Sequence, residues 1–312
     1  MIKTAFVFPG QGAQSTGMGR DLYDHSPAAR QAFDTVDASL GRKISTLCFD
    51  GPDDLLKETQ NTQPALFAAS VAALGACLEA GIVPSAVAGH SVGEYAALVA
   101  AGSLTVTEGA RLVAKRGREM ADAAHETAGT MAAVLSLTPD AIAAICAEVN
   151  YVGVAVVANL NAPGQTVISG EAAAVEAACA LLKAQGAKRV VPLSVSGAFH
   201  SPLMAMAAAS MQRELRFAEI SDPRIPIVAN VTAQYEATAA EVRATLSAQV
   251  AGPVRWVETI ELLVADGFTT FIECGPGMVL AGLIKRIAPT AVTYSVGDRA
   301  SLARAQEALG VE

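Results

Sequence analysis

The chain has 312 residues, of which 52% are hydrophobic and 17% are charged, a composition that excludes a disordered chain. The net charge of −8 argues against general binding to nucleic acid or to an anionic membrane. The five cysteines have no C-x-x-C spacing, so we expect neither a disulfide framework nor a metal site, and we expect a cytoplasmic protein.

Strand and helix patterns alternate along the chain, which predicts an α/β fold with a mostly parallel sheet. The apolar stretch at the N-terminus is too short for a signal peptide, and it predicts a first strand at Thr4–Phe8, before the Gly-rich segment Pro9–Gly19. A second strand is predicted at Ala86–Ala88. Helices are predicted at Thr62–Ala80, Val92–Ala100 and Thr105–Ala123. The apolar run Pro64–Leu78 falls short of the roughly 20 residues of a membrane span and predicts a buried helix.

The pattern changes near Gly129, where strands and helices follow in the order βαββαβ, the split ferredoxin-like unit. The predicted strands are Thr130–Leu137, Val154–Asn159, Gln165–Ser169 and Arg189–Leu193, with helices at Pro139–Val149 and Glu171–Gln185. Further elements are predicted at Leu203–Leu215 (helix), Ile227–Asn230 (strand), Val257–Ala265 (helix), Thr269–Glu273 (strand) and Met278–Ile287 (helix). We therefore expect a small domain over residues 129–196, inserted into a discontinuous large domain of residues 1–128 and 197–312.

The segment Gly89-His90-Ser91-Val92-Gly93 fits the pattern G-x-S-x-G between a predicted strand and a predicted helix. That context is the strand–turn–helix elbow that exposes a serine hydroxyl as a nucleophile. An ordinary Gly-rich turn is the alternative, but the flanking elements favour the nucleophile.

A nucleophilic serine needs a base, and the chain has four histidines. His90 is adjacent to Ser91 on a sharp turn, while His25 and His125 lie in polar segments typical of the surface. His200 lies in a predicted loop after the small domain, where catalytic residues often occur, and the order Ser then His matches α/β-hydrolase-like folds. From the residues alone, His200 is either the base or a structural histidine.

Two further features each allow a functional and a structural interpretation. The turn Gly10-Gln11-Gly12 lacks the third glycine of a dinucleotide-binding motif; it either presents donors to an oxyanion or is only a tight turn. On a helical wheel of Gly109–Ala121, Arg116 falls on the apolar face. A buried arginine keeps its charge, so Arg116 either forms a structural ion pair or clamps a substrate carboxylate.

Taken together, these motifs resemble malonyl-CoA:acyl carrier protein transacylases of fatty acid synthesis, over essentially the whole chain. The resemblance rests on Phe8-Pro-Gly-Gln-Gly-Ala-Gln14, Thr62-Gln-Pro-Ala65, Gly89-His-Ser-Val-Gly-Glu94, Arg116-Gly117, Asn161-Ala-Pro-Gly-Gln165, Phe199-His-Ser-Pro202, Gln249 with Pro253-Val-Arg-Trp256, and Glu273-Cys-Gly-Pro-Gly277. Position 13 is Ala where many members carry Ser, and position 92 is Val where many carry Leu.

The resemblance implies an α/β-hydrolase-like large domain with the active site in the cleft beside the ferredoxin-like insert. It also implies that Ser91 accepts the malonyl group and that His200 is its base, oriented by the backbone carbonyl of Gln249. The backbone N–H groups of Gln11 and Val92 would form the oxyanion hole, and Arg116 would hold the malonyl carboxylate. No cofactor is implied, since malonyl-CoA is a substrate.

The implied partner, acyl carrier protein, is itself acidic in this family's systems, so an acidic enzyme needs a local basic patch to dock it. We expect this patch at Lys188, Arg189, Lys285 and Arg286, on the rim of the cleft, with an ordinary solvated surface as the alternative. Two other functions remain open: a stand-alone acyltransferase serving a polyketide synthase, which shares every motif, and a serine thioesterase or esterase, which uses the same elbow and histidine. Arg116 on an apolar face disfavours the second, because a lipid esterase has no use for a buried cation.

Overall fold

The structure is a computed structural model that describes residues 3–311. The extreme ends of the predicted large domain, residues 1, 2 and 312, lie outside the described residues. Within that range the chain is an α/β protein whose strands form one mixed sheet and one antiparallel sheet.

The larger sheet has six strands in the order β10-β9-β1-β2-β7-β8. Numbered along the chain, they are β1 (Thr4–Phe8), β2 (Ala86–Gly89), β7 (Ile227–Val228), β8 (Tyr235–Glu236), β9 (Thr270–Cys274) and β10 (Val292–Val296). All neighbours are parallel except β7 and β8, which pair antiparallel. The central strands β1, β2 and β9 are buried along their whole length, which explains their continuous runs of apolar and small residues.

Helices cover both faces of this sheet because successive side chains of a strand point to opposite faces. Phe6 and Phe8 of β1 pack into the core that contains the long buried helix Thr59–Glu79, whereas Ala5 and Val7 pack against the helices that begin at Trp256 and Val279. The helices are α1 (Arg20–His25), α2 (Pro27–Leu40), α3 (Ile44–Asp50), α4 (Asp53–Lys57), α5 (Thr59–Glu79), α6 (Gly93–Ala100), α7 (Val106–Glu126), α10 (Ala205–Leu215), α11 (Ala239–Gln249), α12 (Trp256–Ala265), α13 (Val279–Ile287) and α14 (Arg299–Leu309), with a short 3₁₀ helix at Pro202–Met204.

The smaller sheet has four antiparallel strands in the order β4-β5-β3-β6. Its elements are β3 (Gly129–Leu135), α8 (Pro139–Glu148), β4 (Ala155–Ala162), β5 (Gln165–Glu171), α9 (Ala172–Ala184) and β6 (Arg189–Pro192), so the βαββαβ order expected from the sequence is observed. Side chains on one face, such as Ile168, form a small core with α8 and α9. Met131 and Val167, on the other face, join the core of the larger sheet.

The predicted apolar run at Pro64–Leu78 lies within α5, which packs against α2 and α7. Among residues 3–311, no helix is both long enough and apolar enough to cross a membrane. Several elements were not individually predicted, including α11, α14 and the edge strand β10. Their sequences are short or polar, and β10 is only partly buried, so no strong apolar period marks them.

Candidate active site

A pocket lies where the loops after β1 and β2 meet the face of the smaller sheet. Its lining from the loops and helices around the larger sheet consists of Gln11, Gln63, His90, Ser91, Val92, Arg116 and Met120. The other side is lined by Met131, Asn159, Asn161, Val167, Leu193, Val195, Phe199 and His200. The structure therefore brings five of the residues singled out from the sequence into contact with one cavity: Gln11, Ser91, Val92, Arg116 and His200.

Ser91 lies on a tight turn between β2 and α6, with a φ of 52° in the left-handed region. The turn requires glycine on both sides, since a Cβ at Gly89 would lie 2.0 Å from the carbonyl carbon of Gly93, and a Cβ at Gly93 would lie 2.1 Å from the oxygen of Phe8. The side chain of Asn230 holds the turn, accepting from the Ser91 N–H (2.7 Å) and donating to the Gly89 carbonyl (2.6 Å). Asn230 follows a short strand, and no motif in the sequence marks it.

His200 contacts Ser91 directly, with 2.8 Å between the His200 Nε2 and the Ser91 Oγ. Its Nδ1 faces two backbone carbonyls, those of Gln249 (3.0 Å) and Gly252 (2.9 Å). Because carbonyls only accept, Nδ1 carries the proton, and Nε2 presents its lone pair to the serine hydroxyl. The Gly252 carbonyl was not anticipated from the sequence.

Burial, and next the positive charge of Arg116, lower the pKa of His200 to about 3. The imidazole is therefore neutral at physiological pH and able to accept a proton. Among residues 3–311, no Asp or Glu oxygen lies within hydrogen-bond distance of its ring. The histidine of this serine–histidine pair is thus oriented by backbone carbonyls and not by an acidic side chain.

The backbone N–H groups of Gln11 and Val92 at the pocket have no acceptor elsewhere in the described protein. The Gln11 N–H follows β1, and the Val92 N–H lies just before the first turn of α6. The N–H of Ser91 is already used by Asn230, so it is Val92 that remains free to donate beside the nucleophile. Free amides at a helix N-terminus next to a nucleophile suit an oxyanion.

Arg116 is 1% exposed and points from α7 toward Ser91. Its Nη1 donates to the Gln63 Oε1 (2.7 Å), its Nε and Nη2 both donate to the Gln249 Oε1 (3.2 and 2.9 Å), and Nη2 also donates to the Ser91 Oγ (3.0 Å). Each of these acceptors is neutral, and no carboxylate of residues 3–311 lies within 4 Å of the guanidinium. The structural ion pair that the sequence left open is therefore not observed.

Burial lowers the pKa of Arg116, although arginine does not lose its proton in proteins. The site consequently contains a desolvated positive charge without a protein counter-ion, directly beside a serine–histidine pair. The side chains of Gln63 and Gln249 were missed as Arg116 partners. The first lies in the quoted segment Thr62-Gln-Pro-Ala65, and the second is a residue for which only a backbone role was expected.

The other histidines do not contact the serine. His25 and His125 are exposed, as expected, and His90 is half-buried with its Nε2 2.9 Å from the Asn161 Oδ1 across the pocket. No group of three or more His, Cys, Asp or Glu side chains in the described part of the chain is arranged to hold a metal ion.

Comparison with known proteins supplies the family. The acyl transferase domain family matches residues 5–298. A "Malonyl CoA-acyl carrier protein transacylase" of Bacillus subtilis is 45% identical over 313 residues, covering 100% of this chain and 99% of the relative. The protein of the same name from Escherichia coli K12 is 40% identical over 308 residues, covering 98% of this chain and 100% of the relative. The chain belongs to the malonyl-CoA:acyl carrier protein transacylase family.

Solved structures of transacylases superpose closely on this member of the family. The acyl-carrier-protein S-malonyltransferase of Burkholderia pseudomallei has a TM-score of 0.95 at 44% identity, with coverage of 98% of this chain and 100% of that one. A malonyl-transacylase in complex with a type II polyketide synthase acyl-carrier protein has a TM-score of 0.95 at 42% identity, with coverage of 98% and 99%.

The four cations predicted for docking in this transacylase lie along one end of the smaller sheet. All four are exposed. Arg189 pairs with Leu135, Leu135 pairs with Gln165, and Gln165 accepts a hydrogen bond from Arg286 of α13. Strands lie about 4.8 Å apart, so Arg189 and Gln165 are separated by roughly 10 Å across the sheet.

The strand period places Arg189 and Gln165 on the face that carries Met131 and Val167, two residues of the pocket lining. Gln165 is two residues from Val167, which corresponds to about 7 Å along the strand. Arg286 also donates to the Pro163 carbonyl (3.0 Å), so it ties α13 to the β4–β5 turn. The structure thus brings the four cations to one region near the pocket, with Arg286 partly engaged in a structural contact.

Proposed function

We propose that this chain transfers the malonyl group of malonyl-CoA to the phosphopantetheine thiol of acyl carrier protein, through a malonyl-serine intermediate, to supply the extender unit of fatty acid synthesis. The observation that carries the proposal is the Ser91–His200 pair beside the uncompensated charge of Arg116. The pair supports acyl transfer, and the buried cation supports an acyl group that carries its own carboxylate.

In the first half-reaction, Ser91 Oγ attacks the thioester carbonyl while His200 Nε2 takes the hydroxyl proton. The N–H groups of Gln11 and Val92 stabilise the negative oxygen of the tetrahedral intermediate. Collapse of this intermediate breaks the carbon–sulfur bond, His200 returns the proton to the CoA sulfur, and a malonyl ester remains on Ser91. In the second half-reaction the carrier-protein thiol attacks this ester, with the same two proton transfers in the same order.

Arg116 selects the malonyl group in this scheme. In the unliganded site one Nη2 hydrogen is donated to the Ser91 Oγ, and one Nη1 hydrogen has no acceptor among the described residues. A carboxylate that accepts both forms a bidentate, charge-assisted pair. The two glutamines hold the guanidinium without neutralising it, so its charge remains available to the substrate.

The division into domains is part of the proposal. The strand order β4-β5-β3-β6 supports a ferredoxin-like domain of residues 129–196. The serine elbow at the carboxyl end of β2 supports an α/β-hydrolase-like domain of residues 1–128 and 197–312.

Docking of the carrier protein at Lys188, Arg189, Lys285 and Arg286 is supported by their common location near the pocket. The five free cysteines are consistent with a cytoplasmic protein.

Service to a polyketide synthase is the second candidate function, because one similar structure is a transacylase bound to a polyketide acyl-carrier protein. The two candidates share the chemistry and differ in the carrier. Malonyl transfer rates to purified carrier proteins from each pathway separate them.

The decisive experiment is mass spectrometry of the protein after brief exposure to malonyl-CoA. We expect one malonyl adduct on the peptide that contains Ser91, and its loss when carrier protein is added. An adduct at another residue would assign a different nucleophile. Release of free malonate and CoA, without transfer to the carrier protein, would favour a thioesterase.

A further inference from the structure

Glu94 is a buried carboxyl beside the active site that the proposed chemistry does not use. It lies in the first turn of α6, three residues after Ser91, and its exposed fraction is 0%. It forms no salt bridge within the described range, and its Oε1 has no hydrogen-bond partner there. An isolated buried carboxyl is costly, so its remaining contacts should identify a role.

One of these contacts is the Asn230 N–H, which donates to the Glu94 Oε2 (3.4 Å); the other leads to the substrate-binding cation through the side chain of Gln249. The Gln249 Nε2 donates to the Glu94 Oε2 (2.6 Å) and to the Ser91 carbonyl (2.9 Å). The amide nitrogen has two hydrogens, and both are used in this way. The Gln249 Oε1 therefore faces Arg116, from which it accepts two hydrogen bonds.

Rotating this amide by half a turn would be unfavourable at both ends. The amide oxygen would then face the Glu94 carboxyl and the Ser91 carbonyl, and the amide nitrogen would face the guanidinium donors. Glu94 is thus an acceptor that distinguishes the two orientations of Gln249. The backbone of the same residue orients His200, so Gln249 contacts both halves of the catalytic machinery.

We propose that Glu94 is a positioning residue for malonyl selectivity: it fixes the orientation of the Gln249 amide, which holds the Arg116 guanidinium beside Ser91. This inference rests on the proposed function of the site. It goes further by assigning the selectivity to a relay of three residues rather than to Arg116 alone.

The relay works through the acceptor oxygen and not through a negative charge. Burial, and next the nearby Glu236, raise the pKa of Glu94 well above its usual value, which favours the neutral carboxyl. The Glu94 Oε2 accepts from both the Gln249 Nε2 and the Asn230 N–H, so in a neutral carboxyl the proton lies on Oε1; Oε2 remains an acceptor and the charge of Arg116 stays unopposed. A carboxylate in direct contact with Arg116 would instead compete with that of the substrate.

Two substitutions separate the acceptor from the charge. Glu94→Met removes the acceptor at similar side-chain length, and it should lower the malonyl-to-acetyl ratio of kcat/KM by about tenfold to a hundredfold, the range for loss of one hydrogen bond between Gln249 and the charged guanidinium of Arg116. Glu94→Gln keeps an oxygen opposite the Gln249 Nε2 and should retain the wild-type ratio. Equal losses with both substrates and an unchanged ratio in Glu94→Met would overturn the proposal in favour of a structural role.

Glu236→Gln is the control for charge, because it removes the neighbouring carboxyl that helps to raise the pKa of Glu94 but leaves the hydrogen bond between Glu94 and Gln249 in place. It should leave the ratio unchanged. If Glu94→Met does not fold, Glu94→Asp is measured instead. Aspartate keeps the carboxyl chemistry but places the carboxyl about one bond length, roughly 1.5 Å, farther from Gln249. A wild-type ratio in Glu94→Asp would equally overturn the proposal.

The wild-type adduct distinguishes failure of the positioning role from failure of the proposed function. If wild type forms malonyl-Ser91 and Arg116→Ala changes the ratio while the Glu94 variants do not, the positioning role fails and the proposed function stands. If wild type forms no malonyl-serine, the proposed function itself fails.

Discussion

Replacing Arg116 with alanine isolates the interaction that distinguishes malonyl from acetyl groups, which differ by one carboxylate. The guanidinium is 1% exposed, and its acceptors are two amide oxygens and one hydroxyl, all neutral. Since no carboxylate of residues 3–311 lies within 4 Å of the guanidinium, a bound malonyl carboxylate supplies the negative charge in direct contact with it in the proposed complex. The alanine variant should lose this interaction, whereas an acetyl group never makes it.

The size of the expected loss in malonyl kcat/KM follows from the burial of Arg116. Breaking a buried, hydrogen-bonded ion pair by removing one partner costs about 3–5 kcal/mol. At about 1.4 kcal/mol per factor of ten, malonyl kcat/KM should fall by about 140- to 3,700-fold. Acetyl kcat/KM should change far less. Arg116→Lys should recover only part of the loss, because an ammonium is a point charge that cannot reproduce the paired donors held by Gln249 and Gln63.

The assay is kcat/KM for malonyl-CoA and for acetyl-CoA in wild type, Arg116→Ala and Arg116→Lys. Arg118→Ala serves as the matched control, since Arg118 lies two residues along α7 on the exposed face. Thermal unfolding of each variant checks that the fold is retained. An unchanged malonyl-to-acetyl ratio in Arg116→Ala would refute the clamp and leave Arg116 a structural role.

Three other predictions concern the nucleophile, the base and the docking patch. Ser91→Ala should abolish the malonyl adduct without loss of fold, as mass spectrometry and circular dichroism would show; full labelling elsewhere would contradict it. His200→Ala should slow malonylation by about 10²- to 10⁴-fold. In wild type the malonylation rate should stay level down to about pH 5, because the pKa of His200 is lowered to about 3; a midpoint near 6.5 would contradict the buried neutral imidazole. The free energy of unfolding should fall below about pH 6.5, since the unfolded chain gains a proton on His200 that the folded chain excludes, and urea titrations should show a smaller fall in His200→Ala. Lys188→Glu with Lys285→Glu should raise KM for carrier protein but spare acylation by malonyl-CoA, whereas Lys183→Glu on α9 should not; a KM insensitive to charge and salt would place docking elsewhere.

The local parts of the site could be predicted because their signals are local. The glycines at 89 and 93 mark the elbow, since no other residue fits the close approach of α6 to β1 and β2. The apolar face of α7 identifies Arg116 as a buried cation because helical periodicity depends only on neighbouring residues. The family motifs added the pairing of Ser91 with His200, which spacing alone left open.

The alternation of strands and helices, the βαββαβ order of the smaller sheet and the buried nature of α5 were likewise readable from the amino-acid sequence. Periods of two and of 3.6 residues are properties of short segments, and they persist in any tertiary context. Weakly patterned elements such as α11 were not predicted, and α11 is the helix that ends at Gln249.

Only the tertiary structure decided which distant residues meet. Gln249 lies 133 residues from Arg116 and 155 residues from Glu94, yet it contacts both. The side-chain role of Gln249 leaves no signal in local sequence, because an amide has no preferred partner. The Gly252 carbonyl opposite His200 leaves none either, because every residue carries a backbone carbonyl. The amino-acid sequence determined the chemical groups and the elements that carry them. The packing of the two sheets determined the relay that joins them, since hydrogen bonds between remote segments depend on three-dimensional register and not on spacing along the chain.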